Sequence, residues 1–65
     1  MRIPIERHSS TAVYLQIRDR IRHLIETGAL RSGDKLPSIR TLSASTRVNK
    51  LTVIEAYNVL AAEGL

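Results

Sequence analysis

The sequence predicts an all-α fold, a three-helix bundle with a helix-turn-helix, from three observations. Apolar residues recur at three- and four-residue spacing from Ala12 to Thr27, the period of an amphipathic helix. A second apolar pair, Ile39 and Leu42, follows a proline and a serine able to cap a helix. From Asn49 to Leu65, NKLTVIEAYNVLAAEGL places a cap, a polar outer face and an apolar inner stripe almost directly after that short helix. Two short helices joined so tightly read as a helix-turn-helix.

Residues 1–10 carry charge, a proline and two serines without periodicity, and read as a loosely held arm before a domain at 11–65. Thr11 or Ser10 is placed to cap the first helix. Its inner stripe is Tyr14, Ile17, Ile21, Leu24 and Ile25, with Gln16, Arg18, Asp19, Arg20, Arg22 and Glu26 on the other faces. Arg18, Arg20 and Arg22 do not share one face and read as mostly solvated. Gly28, directly after Thr27, supplies the left-handed residue that commonly ends a helix. Ser32, Gly33 and Asp34 signal a turn, and Pro37 disfavours helix at Leu36, so Leu30 and Leu36 are expected to return to the core. Ser38 caps a second helix, Ile39 to about Ser45, with Ile39 and Leu42 buried. Thr46 to Val48 makes the turn, Asn49 caps the third helix and Gly64 ends it. On that helix Val53, Ala56, Tyr57 and Leu60 face inward, which leaves Leu51, Ile54, Glu55 and Asn58 outward.

Composition narrows the function. At 65 residues the chain is one small domain, below the size at which a single core is comfortably stable without staples or a partner. Cysteine is absent, which removes disulfides and thiolate metal sites, and the two histidines, His8 and His23, lie far apart without an acidic cluster at ligand spacing. No nucleophile, base and orienter can be assembled, so an enzyme is not expected and no cofactor or metal site is read in these residues. Ten Lys+Arg against six Asp+Glu, a formal charge of +4 and a pI near 10.4 are the electrostatic footprint of a nucleic-acid module, although small domains are also basic for solubility alone. Tyr14 and Tyr57 are the only aromatics, too few for the stacking platforms of RNA or single-strand readers. No apolar run approaches the ~18 residues of a membrane span, and MRIPIERHSS lacks the apolar block of a signal peptide, so a cytoplasmic location is expected. The first helix is a poor membrane-surface helix, because Asp19 and Glu26 interrupt its basic face and its apolar face has no Trp or Phe.

Taken in order, the block G-x-L-x-x-G-D-K-L-P-S-x-R from Gly28 to Arg40, the pair Thr52-Val53 and the closing L-x-A-E-G-L from Leu60 to Leu65 resemble the N-terminal winged helix-turn-helix of GntR-family bacterial transcription regulators. The resemblance spans about Tyr14 to Leu65. It implies a winged-helix type domain whose wing is truncated, since the chain stops where the family's two-stranded wing would start. It also implies sequence-specific binding to duplex DNA, with the third helix, about 49–63, in the major groove. The Ala56-Tyr57 pair before Leu60 looks like the MocR branch, in which a C-terminal aminotransferase-like domain, absent here, holds pyridoxal phosphate. Dimerisation in the family usually belongs to the C-terminal domain, so a homodimer is expected of a full-length protein, on operators with two half-sites.

The same resemblance supplies the candidate DNA-binding residues Ser38, Arg40, Arg47, Asn49, Lys50, Leu51 and Thr52. Arg40, near the start of the second helix, can act as a bidentate base reader or a phosphate clamp; otherwise it is a solvated arginine. Lys50 is a point charge suited to phosphate, or simply solvated. Leu51 offers apolar contact, plausibly to a thymine methyl, and otherwise wants a protein partner. Thr52 either bonds a base edge or phosphate or supports the cap. Asn49 is a cap first and a phosphate ligand second, and Ser38 combines a capping hydroxyl with helix-start N–H groups that favour phosphate. Arg47 replaces a frequent family glycine in the turn, and a non-glycine there costs roughly 1 to 2 kcal/mol if left-handed, in return for a phosphate contact. Thr41 stands where the family frequently has the Glu of a capping box with Ser38. Glu55 would accept from a cytosine amine or repel wrong sequences. The alternative is a helical module that binds a protein partner through Leu51, Ile54 and the surface left by the wing.

Overall fold

The computed structural model describes residues 3–31 and 35–64. Its elements are α1, Val13–Glu26, α2, Ile39–Thr46, and α3, Lys50–Ala62. Helix α3 is the hub: α1 and α2 each lie close against it, whereas the backbones of α1 and α2 do not come close to one another. This follows from the stripes. Ile17 and Ile21 of α1, Leu42 of α2 and Val53, Ala56 and Leu60 of α3 are buried together, with Val48 from the turn and Ile3 from the arm closing the same cluster. Tyr14, Ile25, Leu30, Ile39 and Tyr57 pack around it half-buried. Leu24 is half-buried as well.

Most of the expected punctuation is present. Gly28 and Gly64 both adopt positive φ, 83° and 80°, just beyond the ends of α1 and α3, a backbone region that glycine enters without steric cost. Ser38 and Asn49 are the caps of α2 and α3. Helix α2 runs one residue past the expected end, to Thr46, whose hydroxyl bonds back to the Leu42 carbonyl at 2.7 Å.

The start of α1 differs from expectation. Neither Ser10 nor Thr11 caps it: Ala12 is the cap residue, without a side-chain bond. Gln16 ties the preceding arm to the helix instead. Its Nε2 donates to the carbonyls of Glu6 and Thr11, both at 2.9 Å, and its Oε1 accepts the Glu6 N–H at 2.8 Å. That clamp, together with burial of Ile3 and packing of Ile5, docks the arm over residues 3–7 and corrects its reading as loosely held. Ile3 and Ile5 alternate with the exposed Pro4 and Glu6 as in an extended segment, a pattern that a search for helical periodicity passes over.

Three further expectations change. Leu36 is 37% exposed rather than returned to the core, because successive side chains of an extended segment point to opposite sides and Pro37 takes the inner one. The turn signal at 32–34 lies outside the described residues. Arg18 and Arg22 are not simply solvated: both bond Asp19 and both pair with Glu63 just beyond α3, tying α1 to the end of α3. The hydrogen bond to Asp19 is also the main reason the Arg18 guanidinium is held above its ordinary pKa. Finally, Ile54 is half-buried, not fully outward.

Tyr57 locks the entrance to α2 onto α3, since its hydroxyl donates to the Pro37 carbonyl at 2.6 Å. Burial raises its pKa, so the folded state holds the phenolic proton longer than the unfolded chain does. Stability from this group is therefore complete below the ordinary phenol value near 10 and falls as pH rises from there through the higher folded value. In Tyr57→Phe, urea unfolding at pH 7 should show a loss of about 1 kcal/mol, and the alkaline decline should be shallower than in the parent chain. An unchanged alkaline decline would mean that Tyr57 is not its source.

Candidate nucleic-acid interface

The connection between α2 and α3 is three residues, Arg47, Val48 and Asn49, and each is held differently. Arg47 is left-handed, at φ 57° and ψ 36°. The Val48 N–H then donates back to the Ser43 carbonyl at 3.3 Å, the six-to-one bond of a Schellman ending. Ser43 closes the same ring from the other side by donating its hydroxyl to the Val48 carbonyl. Val48 buries its side chain in the cluster that includes Leu42, the apolar contact that accompanies this motif. So the strain anticipated for Arg47 is present, and bonds on both sides of Val48 together with its burial hold the turn in that state.

Asn49 then opens α3. Its Oδ1 accepts the Leu51 N–H at 2.8 Å, and its carbonyl accepts from Thr52 and Val53. The cap leaves Lys50 and Leu51 exposed on the first turn, Leu51 at 73%, and Thr52 half-buried. Further along, Glu55 and Asn58 are exposed on the same helix. At the start of α2, the Ser38 Oγ accepts the Thr41 N–H at 3.0 Å and donates to the Thr41 hydroxyl at 2.9 Å. Thr41 thus joins the cap through its hydroxyl, in the place of the carboxylate of a capping box. Arg40 stands exposed on that first turn.

Charge is unevenly used. The ion pairs among the described residues all run from Arg18 and Arg22 to Asp19 and Glu63, at the junction of α1 with the end of α3. Arg40, Arg47 and Lys50 take part in none of them. The helix-turn-helix therefore presents three cations to solvent, at the first turn of α2, in the turn and at the first turn of α3. The exposed cations and the N–H groups at two helix starts are donors, as a polyanionic partner requires.

One residue of this region had no signal in the sequence. The Arg7 Nη2 donates to the carbonyls of Thr46 at 3.0 Å and Arg47 at 3.1 Å, across about forty residues of chain. The only hint is negative: α2 ends without a basic residue in its last turn, so its terminal carbonyls need a donor from elsewhere.

Comparison with known proteins settles the family. Residues 13–65 match the family described as bacterial regulatory proteins, gntR family. This chain belongs to the GntR family. It is 41% identical over 63 residues to the transcriptional repressor YtrA of Bacillus subtilis, covering 97% of this chain and 48% of that protein. It is 40% identical over 62 residues to the pyridoxine biosynthesis transcriptional regulator PdxR of Corynebacterium glutamicum, covering 95% of this chain and 14% of that protein. Among solved structures it resembles YtrA from Sulfolobus acidocaldarius, a GntR-family transcription factor, with a TM-score of 0.92 and 53% identity over 95% of this chain and 66% of that one. The chain thus spans about half the length of one of these bacterial relatives and about a seventh of the other. The GntR resemblance read from the Gly28–Arg40 block and the closing Leu60–Leu65 motif holds, as does the helical fold of winged-helix type. The relatives are named as transcriptional regulators and not as enzymes.

The left-handed backbone at Arg47 fixes the sign of one substitution. Arg47→Gly removes a left-handed strain of roughly 1 to 2 kcal/mol, offset by about 0.5 to 1 kcal/mol of extra unfolded-chain entropy. Thermal unfolding followed by circular dichroism should therefore show a midpoint equal to or a few degrees above the parent. A clear drop would mean that the Arg47 side chain, and not its backbone alone, supports the turn.

Proposed function

We propose that this chain binds duplex DNA sequence-specifically to regulate transcription, with α3 in the major groove. The observation that carries this reading is the set of exposed cations on the helix-turn-helix, Arg40, Arg47 and Lys50, which take part in none of the ion pairs among the described residues, while Arg18 and Arg22 of α1 are paired with carboxylates. Arg40 reads a base edge or clamps phosphate, Lys50 and Arg47 neutralise phosphates, and Ser38 and Asn49 add donors at the helix starts. Leu51 supplies apolar contact to a thymine methyl and Thr52 a hydroxyl. Glu55 selects against bases that present an acceptor to it. The full-length protein acts in the cytoplasm as a homodimer on two half-sites, in keeping with the regulators it resembles. The MocR reading assigns pyridoxal phosphate to a further domain, and the similarity to a regulator named for pyridoxine biosynthesis favours it.

A second reading rests on Leu51, whose 73% exposure on a first helical turn suits an apolar protein partner. Salt separates the two. Phosphate-dominated binding weakens steeply as salt rises, and apolar docking does not.

Selection from a random-sequence duplex pool at two salt concentrations tests the proposal. A short enriched motif with strong salt dependence is expected. Arg40→Ala should then cost about 1 to 3 kcal/mol on that motif and relax its sequence, while Lys50→Ala should weaken all sequences alike and lower the salt slope by about one. Salt-insensitive binding, or none from a chain shown to be helical, would overturn the DNA reading.

A further inference from the structure

We infer that Arg7 is a positioning residue for the helix-turn-helix, a brace from the docked arm that holds the turn leading into α3 and so sets where its reading side chains fall. The inference rests on the proposed DNA reading for its consequence and on the structure alone for its geometry. The backbones of α1 and α2 do not come close to one another, and the two helices share only the apolar core through Ile17, Ile21 and Leu42, so a polar tie between α1 and the end of α2 has to come from another segment. The arm supplies it. At one end Glu6 is clamped to Gln16 of α1 through its N–H and its carbonyl, at 2.8 and 2.9 Å. At the other, the next residue donates both hydrogens of Arg7 Nη2 to the carbonyls of Thr46 and Arg47.

Those carbonyls flank the strained residue of the turn. They also sit at the negative end of α2, where a cation is favoured by the helix dipole and where charge-assisted bonds are stronger than neutral ones. Neither α2 nor its turn supplies another basic side chain to them: α2 has none in its last turn, and the Arg47 guanidinium is not among their partners. Fixing these two carbonyls fixes the peptide planes on both sides of Arg47, and with them the angle at which Val48 and Asn49 enter α3. Base-edge hydrogen bonds tolerate little misplacement, whereas phosphate attraction tolerates much. A loosened turn should therefore reduce discrimination more than it reduces general affinity.

The test compares Arg7→Ala with the parent 65-residue chain. Without DNA, hydrogen exchange should be about tenfold faster at the Val48 amide, the loss of roughly one charged hydrogen bond, with α1 amides unchanged. With DNA, affinity for the selected motif should fall about tenfold relative to random duplex, and the salt slope should stay the same. A salt slope lowered by about one, with equal losses on both duplexes, would make Arg7 a direct phosphate contact and overturn the inference. Unchanged exchange at Val48 would overturn it, as would a uniform rise at the α1 and α3 amides, which would make Arg7 a general stabiliser. Should the parent chain fail to bind any duplex, the proposed function falls, and the exchange result alone decides the brace.

Discussion

The geometry of this domain depends on one residue held in an unfavourable backbone state. Arg47 occupies the left-handed region where glycine is the usual choice, and the chain reverses there between two helices that have only Val48 and Asn49 left to complete the connection. What holds it is a set of bonds that close around the turn. Val48 and Ser43 exchange two hydrogen bonds, Val48 fills the apolar cluster, Asn49 caps α3, and Arg7 takes two of the carbonyls left at the end of α2. Each alone is worth about 1 kcal/mol or somewhat more, comparable to the strain, so the turn is stable only because they act together.

A second division runs through the charges. The molecule spends Arg18 and Arg22 on Asp19 and Glu63, which fastens α1 to the end of α3 at the far side from the turn. These pairs are solvent-accessible, so their contribution to stability is modest and salt-dependent. Their larger effect is on the field. Asp19 of α1 and Glu63 beyond α3 are engaged there, while Arg40, Arg47 and Lys50 at the opposite end of the motif stay exposed and outside those pairs. Glu55 is the exception on the outward face of α3, and a lone carboxylate in that position serves discrimination better than affinity.

The fold was largely legible because its determinants are local. Helical spacing reports which face of each helix is buried, and Ser38, Asn49, Gly28 and Gly64 report where helices start and stop. What escaped the sequence is non-local or depends on side-chain competition. Neither Ser10 nor Thr11 caps α1, and Gln16 instead binds Glu6 and Thr11 ahead of the helix through their backbone, an outcome that nothing in their order along the chain distinguishes from a cap. Ile3 and Ile5 belong to a short extended segment whose alternation is too brief to stand out. The Arg7 contact joins residues about forty apart and has no periodic signature. Of the candidate site, the placement of Ser38 and Asn49 as caps and the outward position of Leu51 followed from spacing, whereas the choice of Arg40 and Lys50 and the assignment of the set to DNA came from the family resemblance.

The central claim is that the outward side of the helix-turn-helix, and not another face of this small domain, meets the nucleic acid. Amide chemical-shift mapping of the chain during titration with the duplex selected for it tests this directly. The account predicts that the largest perturbations fall at Ser38, Arg40, Arg47 and Asn49 to Thr52, with Ile17 and Ile21 of α1 little affected. Perturbations centred instead on the open groove lined by Arg20, Leu24, Leu30, Lys35 and Leu36 would contradict it and place the interface there.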